Sequence, residues 1–220
     1  MPEIYRGVKF KVKFLEKCEI KDKRIRKLAS WCRIFAARGL APRHAGGSAG
    51  NLSYRAKKGF IITASGTNLN HHLAASDFVQ VVGFDFKKNT TTAIGKKNPS
   101  SETGLHAYLY SLNKKIKAIF HGHSELILKN AKRLGIPVTE RSALYGSLQL
   151  AKLAGETLRT MKKSSSIFVL KNHGFISFGR NMSEAGKRAK KALQMVSREP
   201  KFSDRVPKKQ KASAFRERIK

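Results

Sequence analysis

Ile116-Lys117-Ala118-Ile119-Phe120-His121-Gly122-His123 is the stretch on which the reading of this chain turns. The apolar run from Ile116 to Phe120 predicts a strand, and it leads straight into a His-x-His pair. Side chains two apart on a strand share a face, so His121 and His123 project together, with Cα atoms ~6.5 Å apart, which one divalent ion can bridge. A lone His-x-His recurs by chance, so the pair needs company before it counts as a site. His173, in Asn172-His173-Gly174 behind the strand-like run Ile167 to Leu170, supplies a third imidazole. Three protein ligands leave a metal one position for water or substrate, whereas structural zinc sites are usually closed by four.

Outward from this strand, helices and strands alternate without internal repeats. Ile25, Leu28, Ala29, Trp31, Cys32, Phe35 and Ala36 recur at helical spacing with Gly39 as a stop, which predicts an amphipathic helix near 22–38 with Trp31 and Cys32 in the core. Gly46 to Gly50 reads as a flexible loop leading into Asn51 to Arg55. Strands are expected at Phe60 to Thr63, Phe78 to Phe86, Thr90 to Ile94, Ile167 to Leu170 and Phe175 to Phe178. Helices are expected from Ser100-Ser101-Glu102 onward, with serine as N-cap, and at Leu126 to Leu134, Leu148 to Met161 and Met182 to Val196. This mixture predicts an α/β fold layered around a central sheet.

Two further elements assemble around the histidines. Glu102 opens a helix shortly before the His-x-His strand, where an acid can ligate a metal or move a proton, although an ordinary first-turn glutamate would look the same. Three small turns, Gly50-Asn51-Leu52-Ser53, Ala64-Ser65-Gly66-Thr67 and Pro99-Ser100-Ser101, offer hydroxyls, an amide and exposed N–H groups of the kind that hold phosphate. None has the P-loop pattern.

Composition bounds the rest. A chain of 220 residues fits one large domain that can bury its own core. With only Cys18 and Cys32 there is no disulfide framework and no cysteine zinc pattern, so a reducing, cytoplasmic location is expected. Met1 to Phe14 alternates apolar residues with lysine and no run is long enough to cross a bilayer, so a soluble, unprocessed protein with no membrane partner is expected. The formal charge of +32 attracts anions in general. No RNP aromatic signature, zinc finger or basic zipper accompanies it, which leaves nucleic acid as a non-specific partner through the basic surface. Residues 199–220 read as a basic, flexible tail after a single domain spanning 1–198.

In combination, the turns, Glu102 and the histidines resemble the class II aldolase and adducin family, from about Asp22 to about Arg198. The resemblance implies a three-layer α/β/α fold with a mostly antiparallel central sheet, in a homotetramer with active sites near subunit interfaces. By position in those motifs, His121, His123 and His173 would hold one divalent metal per chain, zinc first, with manganese or cobalt as alternatives. Glu102 would be the acid/base, and Asn51, Ser65, Gly66, Ser100 and Ser101 would hold the substrate phosphate. The implied chemistry is aldolase-type cleavage or formation of a carbon–carbon bond in a sugar phosphate through a metal-stabilised enediolate. Epimerase, dehydratase and decarboxylase relatives use a similar site, and adducin-like modules lack the metal histidines. The chain departs from fuculose-phosphate aldolases in having Val138-Thr139-Glu140-Arg141 where a tyrosine is expected and no tyrosine after Tyr145, so Tyr145 is the substitute for the aldehyde side. Glu102 is a glutamate where the epimerase has an aspartate, and Ser142-Ala143-Leu144 offers no acid, which favours lysis. His44, His71, His72 and His106 match no ligand position and are expected in surface, turn or core roles.

Overall fold

A computed structural model describes residues 7–197, so the expected tail at 199–220 lies outside the described residues. In chain order the elements are β1 (Lys11–Glu16), α1 (Ile25–Ala37), β2 (Arg43–His44), β3 (Gly47–Ser48), β4 (Gly50–Arg55), β5 (Phe60–Thr63), β6 (Phe78–Asp85) and β7 (Thr90–Ile94). They continue with α2 (Thr103–Leu112), β8 (Ala118–Gly122), α3 (Glu125–Lys129), α4 (Leu148–Thr160), β9 (Ile167–Leu170), β10 (Gly174–Gly179) and α5 (Met182–Ser197). Eight strands form one sheet in the order β1-β7-β6-β5-β4-β8-β10-β9. Every neighbouring pair is antiparallel except β1 with β7. The three-layer, mostly antiparallel architecture is therefore as expected.

Register decides which side chains meet. Phe120 pairs with Leu52 and both enter the core under α1, α3 and α5, where Trp31 and Phe35 lie against Phe120. Ile119 faces the other way, with Ile176 and Phe168, into a second core closed by Leu105 and Leu109 of α2 and Leu150, Ala151 and Ala154 of α4. His121 follows Ile119 by two residues and pairs with Asn51 on one side and Ile176 on the other, so it belongs to the α2 face. A one-residue slip would turn it under α1 instead.

One element was not assigned from the sequence and two expectations need correction. The N-terminal alternation forms a strand, β1, whose inward Val12 and Phe14 pack on Val79 and Ala93. The loop expected at Gly46 to Gly50 carries β3, which pairs with β2 in a small ribbon. The helix expected at Leu126 to Leu134 stops at Lys129, because the Asn130 side chain takes the Leu126 carbonyl at 2.8 Å and the chain continues in turns to Gly135 at φ +62°. Among the described residues, no helix is long and apolar enough to cross a membrane.

Candidate active site

His121 is the last residue but one of the central strand β8 and His123 follows just beyond it, its backbone N–H donating to the Leu40 carbonyl at 2.8 Å. His173 comes from the turn between β9 and β10, presented by Asn172 in the left-handed region at φ +58°. The ligand nitrogens of the three lie within 4.8 Å of one another, and the rings of His121 and His173 stack at 12°. Gly174 makes this packing available, since a β-carbon there would stand 2.6 Å from His121 Cε1.

Glu102 completes the cluster from the start of α2. Its Oε1 lies 2.8 Å from His173 Nε2 and its Oε2 lies 2.9 Å from His121 Nε2, which is itself 3.0 Å from His123 Nε2. His121 Nδ1 sits 3.0 Å from the Phe175 carbonyl, an acceptor, so Nδ1 carries the hydrogen and in neutral His121 the Nε2 bears a lone pair. That lone pair then faces a carboxylate oxygen and another ring nitrogen at contact distance, and Glu102 Oε2 is buried without a hydrogen-bond donor. Lone pairs converge this way around a cation. Burial opposes ionisation of Glu102, but His121 and His173 outweigh it and hold the carboxyl well below the usual carboxylate range. Burial, then the charges of His121 and His173, push His123 well below an ordinary imidazole. Three ring nitrogens and a carboxylate brought within reach of one point are the donor types that a metal such as zinc takes, so the donor set fits one divalent ion.

The cluster opens into a cavity of about 1020 Å³ whose lining includes Asn51, Ser65, Gly66, Ser100 and Ser101 as well as the histidines and Glu102. The candidate metal, acid and phosphate residues are thus brought to one space, while Ser53 of the first turn faces His106 and Tyr110 instead. Asn51 Oδ1 is buried there with no hydrogen-bond partner, an orphaned acceptor on the strand next to His121. Serine does not cap α2, however. The N-cap is Glu102, without a side-chain cap, while Ser100 Oγ accepts from Glu102 N at 3.3 Å in the tight turn before the helix. This leaves the first helical amides uncapped by any side chain, the electropositive end at which an anion is favoured.

Sequence reasoning passed over two lining residues. Thr67 has a buried, unpartnered Oγ1 beside Ser65 and Gly66, and the hydroxyl in the same turn was its signal. His44 lies on β2 at the cavity, with Nδ1 accepting from Gly46 N at 3.0 Å. Of the other histidines, His71 and His72 are exposed, while His106 is a core residue hydrogen-bonded to Ser53 Oγ at 2.7 Å. Tyr145 is buried and lines the cavity.

The family model described as Class II Aldolase and Adducin N-terminal domain matches residues 26–195. A methylthioribulose-1-phosphate dehydratase of Enterobacter sp. (strain 638) is 28% identical over 185 residues, covering 72% of this chain and 84% of that protein. An L-fuculose phosphate aldolase of Methanocaldococcus jannaschii is 27% identical over 153 residues, covering 63% and 77%. A sugar-phosphate aldolase from Thermotoga maritima, known as a crystal structure, superposes with a TM-score of 0.63 at 19% identity over 80% of this chain and 94% of its own. At that identity the structural likeness is one of fold.

Proposed function

The chain belongs to the class II aldolase and adducin family, and from that premise we propose that it is a metal-dependent lyase of the aldolase type, cleaving or forming a carbon–carbon bond in a sugar phosphate. The observation that carries this reading is the convergence of His121, His123, His173 and Glu102, with orphaned lone pairs, on a cavity whose lining also holds the serine turns.

His121, His123 and His173 hold the ion, zinc first and manganese or cobalt otherwise. When bound, it supplies a Lewis acid for the negative charge that develops on substrate oxygens. Glu102 handles the proton at the carbon that keeps the bonding pair: in synthesis its carboxylate removes that proton, and in cleavage the proton lost from the hydroxyl that becomes the aldehyde carbonyl reaches this carboxylate and passes to the carbon. Asn51, Ser65, Gly66, Ser100 and Ser101 hold the phosphate, so binding energy at the remote end orients the reacting carbons. Tyr145 is the cavity's phenol and the group assigned to the aldehyde oxygen. A cytoplasmic homotetramer goes with this reading, and sedimentation measures the assembly.

Dehydration is the second reading. Leu126, Leu128 and Leu193 also line the cavity, an apolar wall that a bare sugar phosphate does not need, and one relative is named as a methylthioribulose-1-phosphate dehydratase. Metal analysis and a screen of phosphorylated ketoses, with and without chelator, test both. We expect about one divalent ion per chain, lost in His123→Ala, and release of an aldehyde fragment from the substrate rather than of water. Glu102→Gln should keep the metal and lose about 100-fold or more in kcat. A native protein that holds no metal would end the lyase reading.

A further inference from the structure

The chain just before β1 lies outside the segment matched by the family model, yet it reaches the candidate site from two sides. Lys9 holds its ammonium 3.6 Å from the centre of the Tyr145 ring and donates to the carbonyl oxygen of the same residue at 2.9 Å. Tyr145 lines the cavity, and Gly146 after it, at φ +66°, presses on the phosphate turn: a β-carbon there would stand 2.9 Å from the Ser101 carbonyl oxygen, with Lys9 Cδ at 3.8 Å. Phe10 meets the edge of Phe84 at 5.4 Å between ring centroids. Phe84 in turn covers Gly104, two residues past Glu102, so closely that a β-carbon would come within 3.2 Å of the ring. The segment is itself fastened to the sheet, because Asn89 Nδ2 donates to the Lys9 carbonyl at 2.9 Å and Lys11 N donates to the Asn89 carbonyl at 3.0 Å.

We infer that Lys9 and Phe10 are positioning residues for the active site, Lys9 fixing Tyr145 and the Ser101 turn, and Phe10, through Phe84, fixing the first turn of α2 behind Glu102. A cation held at once by a ring face and by that residue's carbonyl leaves the residue little freedom. The constraint falls on the turn that carries both the phosphate hydroxyls and the acid, where displacements of an ångström matter. The part of the inference that concerns phosphate rests on the sugar-phosphate reading. The part that concerns order in the turn does not.

The test uses the full chain with Lys9→Met, Lys9→Arg and, as a control that removes the same charge from an exposed position on β1, Lys13→Met. Two quantities are read: amide hydrogen exchange at residues 100–104 and 145–147, and the affinity for inorganic phosphate by calorimetry. Lys9→Met should speed exchange in both segments and weaken phosphate binding, each by about tenfold. Lys9→Arg should restore both to within about threefold, and Lys13→Met should match the wild type. Equal exchange in Lys9→Met and Lys13→Met overturns the inference. A wild type that takes up no phosphate but shows the exchange effect supports the positioning role and counts against the sugar-phosphate reading instead.

Discussion

A missing side chain shapes the histidine cluster as much as the three rings do. The φ of Gly174 lies outside the left-handed region, but an added carbon would stand 2.6 Å from the Gly122 carbonyl oxygen, 2.6 Å from His121 Cε1 and 3.0 Å from His123 Cδ2. Gly174→Ala should therefore push β10 off β8 at Gly122 as well as spread the two rings, lowering stability together with metal affinity, the latter by about 10- to 100-fold, the range seen when ligand orientation is disturbed. Competition with a chromogenic chelator measures it, and an unchanged affinity would mean that these rings do not hold the ion. Of the site's residues, His121 and His123 were legible from strand periodicity, whereas His173, in a turn, and Glu102, at a helix start, were drawn in by the resemblance of their motifs. Thr67 and His44 were not, because nothing in a turn's composition says which of its polar atoms is left without a partner inside a cavity.

At the level of elements, the proposed role of Glu102 requires α2 to keep it at a fixed height above β8, and a buried polar layer does this. Ser53 Oγ on β4 meets His106 Nδ1 at 2.7 Å and the Tyr110 hydroxyl at 2.9 Å. Arg55 donates to the Tyr110 carbonyl at 2.8 Å and to the Ile116 carbonyl at 3.1 Å. Burial pushes the His106 imidazole down to about 3, with the charge of His121 adding to the fall. The unfolded chain, at about 6.5, binds this proton while the folded one does not, so stability is lost as pH falls below 6.5, by up to about 1.4 kcal/mol per unit, and the loss is complete near the folded value. His106→Gln, which keeps hydrogen-bonding atoms but cannot titrate, should be less stable at pH 7.5 by about 1–3 kcal/mol and decline less steeply from pH 6.5 to 4.5. Urea unfolding with chelator present throughout reads the two slopes; identical slopes would remove His106 from the account. Elements with strong local patterns, such as β5 and β9, were readable at their observed bounds. β1 was not, since its alternating lysines look like any solvated segment and its partner β7 is far along the chain. The early end of α3 escaped notice because one asparagine side chain decides it.

Over the whole molecule, 46 lysines and arginines face 14 aspartates and glutamates, a formal excess of +32 that local pairing does little to offset. Pairs such as Lys96 with Glu19 and Lys129 with Glu125 are exposed and contribute little to stability, so the excess acts mainly as a field. A phosphorylated substrate carries the opposite sign and would be drawn toward the cavity faster than diffusion alone brings it. Salt shortens the reach of that attraction from ~10 Å at 0.1 M to ~3 Å at 1 M. Raising salt from 20 to 500 mM should therefore lower kcat/KM for a phosphorylated ketose by about tenfold while kcat stays within about twofold, because the step after binding occurs in a buried pocket. An unphosphorylated ketose serves as the control and should respond little. Non-specific RNA binding would fall over the same range with a steep, linear log–log slope set by the number of phosphates neutralised. A flat kcat/KM beside a steep RNA slope would show that the charge serves the outer surface and not the route into the active site.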